Sequence, residues 1–141
     1  PGTTALVVRN IPWGYSQEEL LSEWDHVGSY DFLHLPTKKN ALRTTTYAYV
    51  NFVSHEKAVE FNDKWHGYFM PHYEAPKTLS IAAGKLQGLK DNLGKLTWKQ
   101  ICDMSVYGIM PATFQTDQRV DGRVLYLMLE LMQKREGVPQ N

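Results

Sequence analysis

The sequence predicts an α+β fold, a four-stranded antiparallel sheet with two helices on one face, followed by a C-terminal helical extension. Three observations carry this expectation. Short β-branched and aromatic runs recur at 3–12, 30–36, 44–52 and 78–83, bounded by proline, glycine or polar residues. Two serine-capped amphipathic stretches fall between the first and second runs and between the third and fourth. The resulting β-α-β-β-α-β order is the split βαβ arrangement, which leaves one sheet face without helices.

Each element has a local reason. "TTALVVRNIP" is an extended run stopped by Pro12. Ser16 with Glu19 forms a capping box for "QEELLSEW", whose Leu20, Leu21 and Trp24 make an apolar stripe ending near Gly28. "YDFLHLP" is again closed by a proline, and the basic loop "TKKNALR" leads into "TTTYAYVNF". Ser54 caps "HEKAVEFNDKWHG", where Ala58, Phe61 and Trp65 share a stripe and Gly67 marks the stop. "TLSIAA" supplies the fourth strand. The core domain is therefore expected at 3–95 and an extension at 96–141.

Within the extension, "KLQGLKDNLGKL" and "TWKQICDM" read as two short helices, and "YGIMPATFQTDQRVDG" reads as irregular. "RVLYLMLELMQKREG" is an amphipathic helix over about 122–136, with Val124, Leu125, Met128, Leu131 and Met132 as its apolar stripe. That stripe demands cover. Three arrangements stand open: the helix lies on the sheet, packs beside the two helices, or pairs with a second copy.

Composition narrows the function. Fifteen basic residues balance fifteen acidic ones across 141 positions, so a polyanion has to be held by local clustering or stacking rather than bulk charge. The single cysteine, Cys102, excludes an internal disulfide and a cysteine-based zinc cluster. No apolar run approaches the roughly 18 residues of a membrane span. No signal sequence opens the chain. The start at Pro1-Gly2 reads as an internal fragment, with any targeting signals expected outside it. A reducing compartment, nucleus or cytoplasm, is the expectation.

In "TTTYAYVNF", Ala48, Val50 and Phe52 share one parity while Tyr47 and Tyr49 share the other, so two phenol rings lie side by side on the helix-free face. Those residues carry a resemblance. "LVVRNI" (6–11) resembles the six-residue signature of an RNA recognition motif and "TTYAYVNF" (45–52) its eight-residue signature. "RNIPWGYSQEELL", "YDFLHLP", "YAYVNF" and "LQGLKDN" occur in an order similar to the C-terminal RNA recognition motif of the Mei-two-like meiotic regulators. The resemblance covers about residues 3–95. It implies a ferredoxin-like sandwich that binds single-stranded RNA on its sheet.

The resemblance implies base stacking at Tyr47 and Tyr49, the third and fifth octamer positions. The sequence departs from the pattern at three places. Val7 holds the hexamer position that is often aromatic, Thr45-Thr46 replaces a basic residue and glycine, and Ala83 stands where relatives tend to carry an aromatic ring. Each stack is worth roughly 1–3 kcal/mol, so two tyrosines alone give about millimolar affinity or weaker. Further contacts are expected from Arg9 and Asn51, which share the face, and from Phe32 and His34 on strand two. Lys38, Lys39 and Arg43 in the loop offer phosphate contacts, and Lys85 and Gln87 lie within reach of a base edge. Alternatives stand beside these: Tyr47 and Tyr49 as strand formers with rings packed under a terminal helix, Arg9 as a surface strand residue or an ion-pair partner of Asp31, the loop cations as an ordinary solvated loop, and Trp13 as either a stacking or a local packing residue.

Three function classes compete. The first is single-stranded RNA binding in RNA regulation or processing. The second is a polypeptide-docking module on the same scaffold, through the sheet or through a homodimer of the terminal helix. The third, catalysis, lacks its parts. "NIPWGYS" has one glycine and no arginine inside the turn, unlike the phosphate cradle that acylphosphatase-like chemistry needs on this fold. No enzyme activity, cofactor or metal is expected.

Overall fold

The structure is a computed structural model that describes residues 2–25, 28–38 and 44–137. The split βαβ order is present as β1 (Ala5–Arg9), α1 (Gln17–Glu23), β2 (Tyr30–His34), β3 (Tyr47–Phe52), α2 (His55–Trp65) and β4 (Ser80–Ala83). Beyond it come α3 (Leu89–Gly94), α4 (Trp98–Tyr107), β5 (Ala112–Gln115), β6 (Gln118–Val120) and α5 (Gly122–Gly137).

Capping starts the helices where the sequence indicates. The Ser16 hydroxyl accepts from Glu19 N–H at 3.1 Å while the Glu19 carboxylate accepts from Ser16 N–H at 2.9 Å, a reciprocal box that satisfies otherwise unpaired donors. Ser54 accepts from Lys57 N–H at 3.2 Å. α1 stops at Glu23 rather than near Gly28, because Trp24 takes extended geometry and turns its ring into the core.

The helix-facing side of the sheet is the main core. Leu6, Val8, Leu33, Ala48, Val50, Phe52 and Ile81 meet Leu20, Trp24, Ala58 and Phe61. Aromatic rings interlock there edge to face, Trp24 on Phe61 at 5.1 Å and Tyr30 on Phe52 at 5.8 Å between centroids, the arrangement that ring quadrupoles favour. The Tyr30 hydroxyl donates to the Trp24 carbonyl, which closes the polar account of that buried ring.

The sheet has six strands, not four, in the order β4-β1-β3-β2-β5-β6. The segment read as irregular contains a hairpin. β5 pairs antiparallel with β2, Phe32 opposite Thr113 and Leu33 opposite Ala112, and β6 pairs with β5. Thr116 and Asp117 both sit at positive φ, 49° and 67°, the backbone of a two-residue hairpin turn. The usual glycine is absent there; the Asp117 carboxylate instead accepts from Gly28 N–H at 2.6 Å, pinning the turn to the loop before β2.

The extension packs on the opposite face of the sheet, over β2. Phe32, Leu93, Leu96, Ile101, Leu125 and Tyr126 form a second core, joined by half-buried Tyr49, Leu89, Met104 and Leu129. The Tyr126 hydroxyl donates to the Leu96 carbonyl at 2.7 Å, and its ring stacks on Trp98 at 5.8 Å. α5 therefore buries Tyr126, the adjoining Gly122 and, of the expected stripe, Leu125 alone. Val124, Leu127, Met128, Leu131 and Met132 face solvent. The helix is apolar nearly all round, and Tyr126, which can bury a ring and still satisfy its hydroxyl, decides which side turns inward.

Candidate nucleic-acid interface

Strand register assembles the helix-free face. Tyr49 lies opposite Val7 and Tyr47 opposite Arg9 on β1; across β1, Val7 faces Ala82 and Arg9 faces Ser80. On the other side His34 is opposite Tyr49 and Phe32 opposite Asn51. The fourth-strand residue on this face is thus Ala82, whereas Ala83, opposite Leu6, belongs to the other parity. Tyr47 and Tyr49 touch edge to face at 5.8 Å and 82°.

The extension divides that face in two. Over β2, Phe32 is 0% exposed at the heart of the second core and His34 is 4% exposed. The His34 Nδ1 is buried without a hydrogen-bond partner among the described residues. Burial pushes the imidazole down to about 4, with the nearby Lys95 charge adding to the effect, so the ring is neutral at physiological pH. Asn51 is equally enclosed. Its Oδ1 accepts from the Thr4 hydroxyl at 2.9 Å and from Gly88 N–H at 3.1 Å, and its Nδ2 donates to Asp31 at 2.9 Å. Burial raises the Asp31 pKa and the Asn51 bond partly offsets it. Phe32, His34 and Asn51 are out of a ligand's reach in this arrangement; they hold the extension down.

Gln87 has a similar structural task. Its Oε1 accepts from the N–H groups of Thr4 and Ala5, each at 2.8 Å, and its Nε2 donates to the carbonyls of Ala5 and Gly84 at 3.0 and 2.8 Å. That spends the amide's capacity. The extended segment after β4 is thereby clamped beside β1.

Over β3, β1 and β4 the face is open. Tyr47 is 36% exposed and Arg9 is exposed, while Val7, between them and Ala82, is itself buried. Asp31 sits beside Asn51, four residues along β3 from the level of Arg9, or ~13 Å at the strand rise, so the pair is too distant to be ionic. Beside this surface lies a cleft of about 330 Å³ lined by Val7, Arg9, Tyr49, Lys85, Leu86 and Asn92 among others. That is the low end of small-ligand site volumes. Lys38 is exposed, with its ammonium 5.3 Å from the centroid of the exposed Trp13 ring. Lys39 and Arg43 lie outside the described residues.

Two members of this site were invisible in the sequence. Lys95, at the end of α3, holds its ammonium 4.0 Å from the Tyr49 ring centroid, a cation–π contact, and partial burial lowers its pKa. Asn92 lines the cleft from α3. Neither belongs to a strand pattern, and only the fold of the extension brings them to Tyr49.

A sheet carrying paired aromatics beside helices on its reverse face defines the class, an RNA-recognition-type sandwich. Solved structures agree on the fold. The Rna15 RRM with bound RNA (GU) is 18% identical with a TM-score of 0.52, covering 63% of this chain and 89% of that one. The Sxl-lethal protein/RNA complex is 18% identical with a TM-score of 0.51, covering 62% and 50%. Residues 3–97 match the family described as RNA recognition motif 2, and the chain belongs to that family. Among curated proteins it is similar to MEI2-like 4 of Arabidopsis thaliana, 33% identical over 87 residues, and to MEI2-like 2 of Oryza sativa subsp. japonica, 32% identical over 87 residues. Each alignment covers 60% of this chain and 10% of the relative, so the chain spans about a tenth of the length of the curated relatives it matches.

Proposed function

We propose that this domain binds single-stranded RNA through the β4–β1–β3 half of its sheet, as part of RNA regulation or processing in the nucleus or cytoplasm, in a binding rather than a catalytic role. The observation that carries the proposal is the exposed Tyr47 ring beside Tyr49, with Arg9 and Lys85 flanking the adjoining cleft. A base stacks on Tyr47 without reorganising the sheet, and the flanking cations take phosphates. The Tyr49 ring is reached once the Lys95 side chain swings aside. A lysine loses little by doing so, because its ammonium then pairs with the incoming backbone. RNA-bound neighbours of the same fold support the reading. Fluorescence anisotropy with a labelled single-stranded RNA pool tests it: Tyr47→Ala should weaken binding at least fivefold with an unchanged circular dichroism spectrum. Equal binding by the variant would sink the proposal.

In this reading residues 96–137 belong to the RNA-binding unit. A second reading, polypeptide docking, rests on α5, whose exposed Val124, Leu127, Met128, Leu131 and Met132 form an apolar strip of the kind that marks association surfaces. Sedimentation velocity at micromolar concentration tests the homodimer form. A dimer lost in Leu127→Glu/Leu131→Glu supports it, and a monomer throughout removes it.

A further inference from the structure

The turn after β1 leaves a large ring in solvent while it buries the residues around it. Trp13 is 57% exposed, whereas Ile11 and Tyr15, two positions to either side, are 1% exposed each. The backbone of the turn is pinned. Ile11 N–H donates to the Thr46 carbonyl at 2.9 Å, and the Thr44 hydroxyl donates to the Tyr15 carbonyl at 2.7 Å. Gly14 sits at φ +100°, and a Cβ there would stand 3.3 Å from the Tyr73 ring, which packs edge to face on Tyr15 at 4.7 Å. A glycine lets the turn close against that ring without strain. The indole is thus held outward on a rigid support.

Both anchoring bonds run to residues that lead into β3, so the turn lies at the end of the sheet where Tyr47 begins its strand. Arg9 is opposite Tyr47, and Trp13 follows Arg9 by four residues, at most ~14 Å of chain. The Lys38 ammonium, from the other side of β3, stands 5.3 Å from the indole centroid. A flat π-face and a cation therefore meet just beyond the sheet.

We infer that Trp13 and Lys38 form a second nucleotide site, off the sheet, in which a base stacks on the indole and Lys38 takes a phosphate. The inference rests on the RNA-binding reading and extends the path of the strand beyond Tyr47. Bases on this fold class stack on strand aromatics; Trp13 lies on no strand, and this chain has Val7 where one of those rings would stand. With Lys95 over Tyr49, Tyr47 is the one ring of the pair open to a base and supplies roughly 1–3 kcal/mol. The indole adds a comparable amount. Lys38 rests against the ring when no strand is bound and moves to the backbone when one is. Every base has a π-face, so the site lengthens the footprint without choosing a base.

The test varies the length of the strand. Mixed-sequence single strands of about four and about ten nucleotides are titrated by fluorescence anisotropy into the whole chain and its variants. The sheet accounts for the shorter strand, so Trp13→Ala should leave its affinity unchanged and weaken the longer one fivefold or more. Trp13→Phe keeps a ring and should restore most of that loss. Lys38→Ala should lower the slope of log affinity against log salt by about one, for the longer strand alone. Equal binding of the longer strand by Trp13→Ala and the parent overturns the inference. Equal weakening at both lengths, or a loss that comes with a lowered melting temperature, also overturns it, since either marks a packing residue. The two readings fail separately. If Tyr47→Ala binds the longer strand like the parent while Trp13→Ala does not, the sheet reading falls and the Trp13 site stands; if neither length binds the parent, both fall.

Discussion

Replacing Phe32 by alanine separates a structural residue from a ligand-contacting one. On sequence grounds Phe32 is a candidate stacking residue, and in the structure it is 0% exposed, enclosed by Leu93, Leu96, Ile101, Leu125 and Tyr126. Truncating a fully buried phenylalanine costs about 3–5 kcal/mol, the lost transfer free energy plus the cavity left behind. Domains of this size are stable by only about 5–15 kcal/mol, so a large share of the total disappears. The melting temperature should drop by roughly 10–20 °C. Urea denaturation followed by circular dichroism reads the loss, with tryptophan fluorescence adding Trp98, which stacks on Tyr126 of that core. A loss below about 1 kcal/mol, with RNA affinity reduced instead, would show that Phe32 faces the ligand and that the extension does not cover β2.

Three further outcomes follow from the same geometry. His34 titrates near 4 in the fold against 6.5 for the free side chain. Between those values the unfolded chain binds the extra proton, so about 3 kcal/mol of stability present at neutral pH is lost as pH falls from about 6.5 to about 4; His34→Phe should flatten that part of a stability–pH profile. Asn51→Leu strands the half-buried Asp31 carboxylate as well as the Thr4 and Gly88 donors, and should destabilise by about 2 kcal/mol or more in urea titrations. Lys95→Ala removes the cation over Tyr49 and should cost about 0.5–1 kcal/mol of stability. If the ammonium moves to a phosphate on binding, the same variant lowers the slope of log affinity against log salt by about one.

The two-layer core was legible because its signals are local. Ser16 with Glu19, the parity of Ala48, Val50 and Phe52, and the stripe through Ala58 and Phe61 each fix an element within a dozen residues, and the structure places them accordingly. The pairing of Tyr47 and Tyr49 on one face was legible for the same reason. What lay on top of that face was not. β5 and β6 are only four and three residues long and meet at a Thr-Asp turn without glycine, so neither periodicity nor turn chemistry announced them. Phe32, His34 and Asn51 have the parity of an open surface; Phe32 becomes interior because Leu93 and Tyr126, far along the chain, close over it, and Asn51 is tied down by Thr4 and Gly88. The stripe of α5 misled because the helix has apolar residues on most sides, and a hydrogen bond from Tyr126 to Leu96 chose among them. Gln87 and Asn92 look like ordinary polar residues in a loop and a short helix; their roles exist only in the backbone groups they meet.

The most direct measurement is the affinity of Tyr47→Ala for single-stranded RNA, read beside its thermal stability. Tyr47 touches Tyr49 from the exposed margin of the face and belongs to neither core, so its removal should leave the melting temperature within a few degrees. It should reduce RNA affinity by roughly five- to a hundredfold, the worth of one lost stack. A variant that binds RNA as tightly as the parent, at unchanged stability, would mean that the tyrosine surface does not hold the nucleic acid.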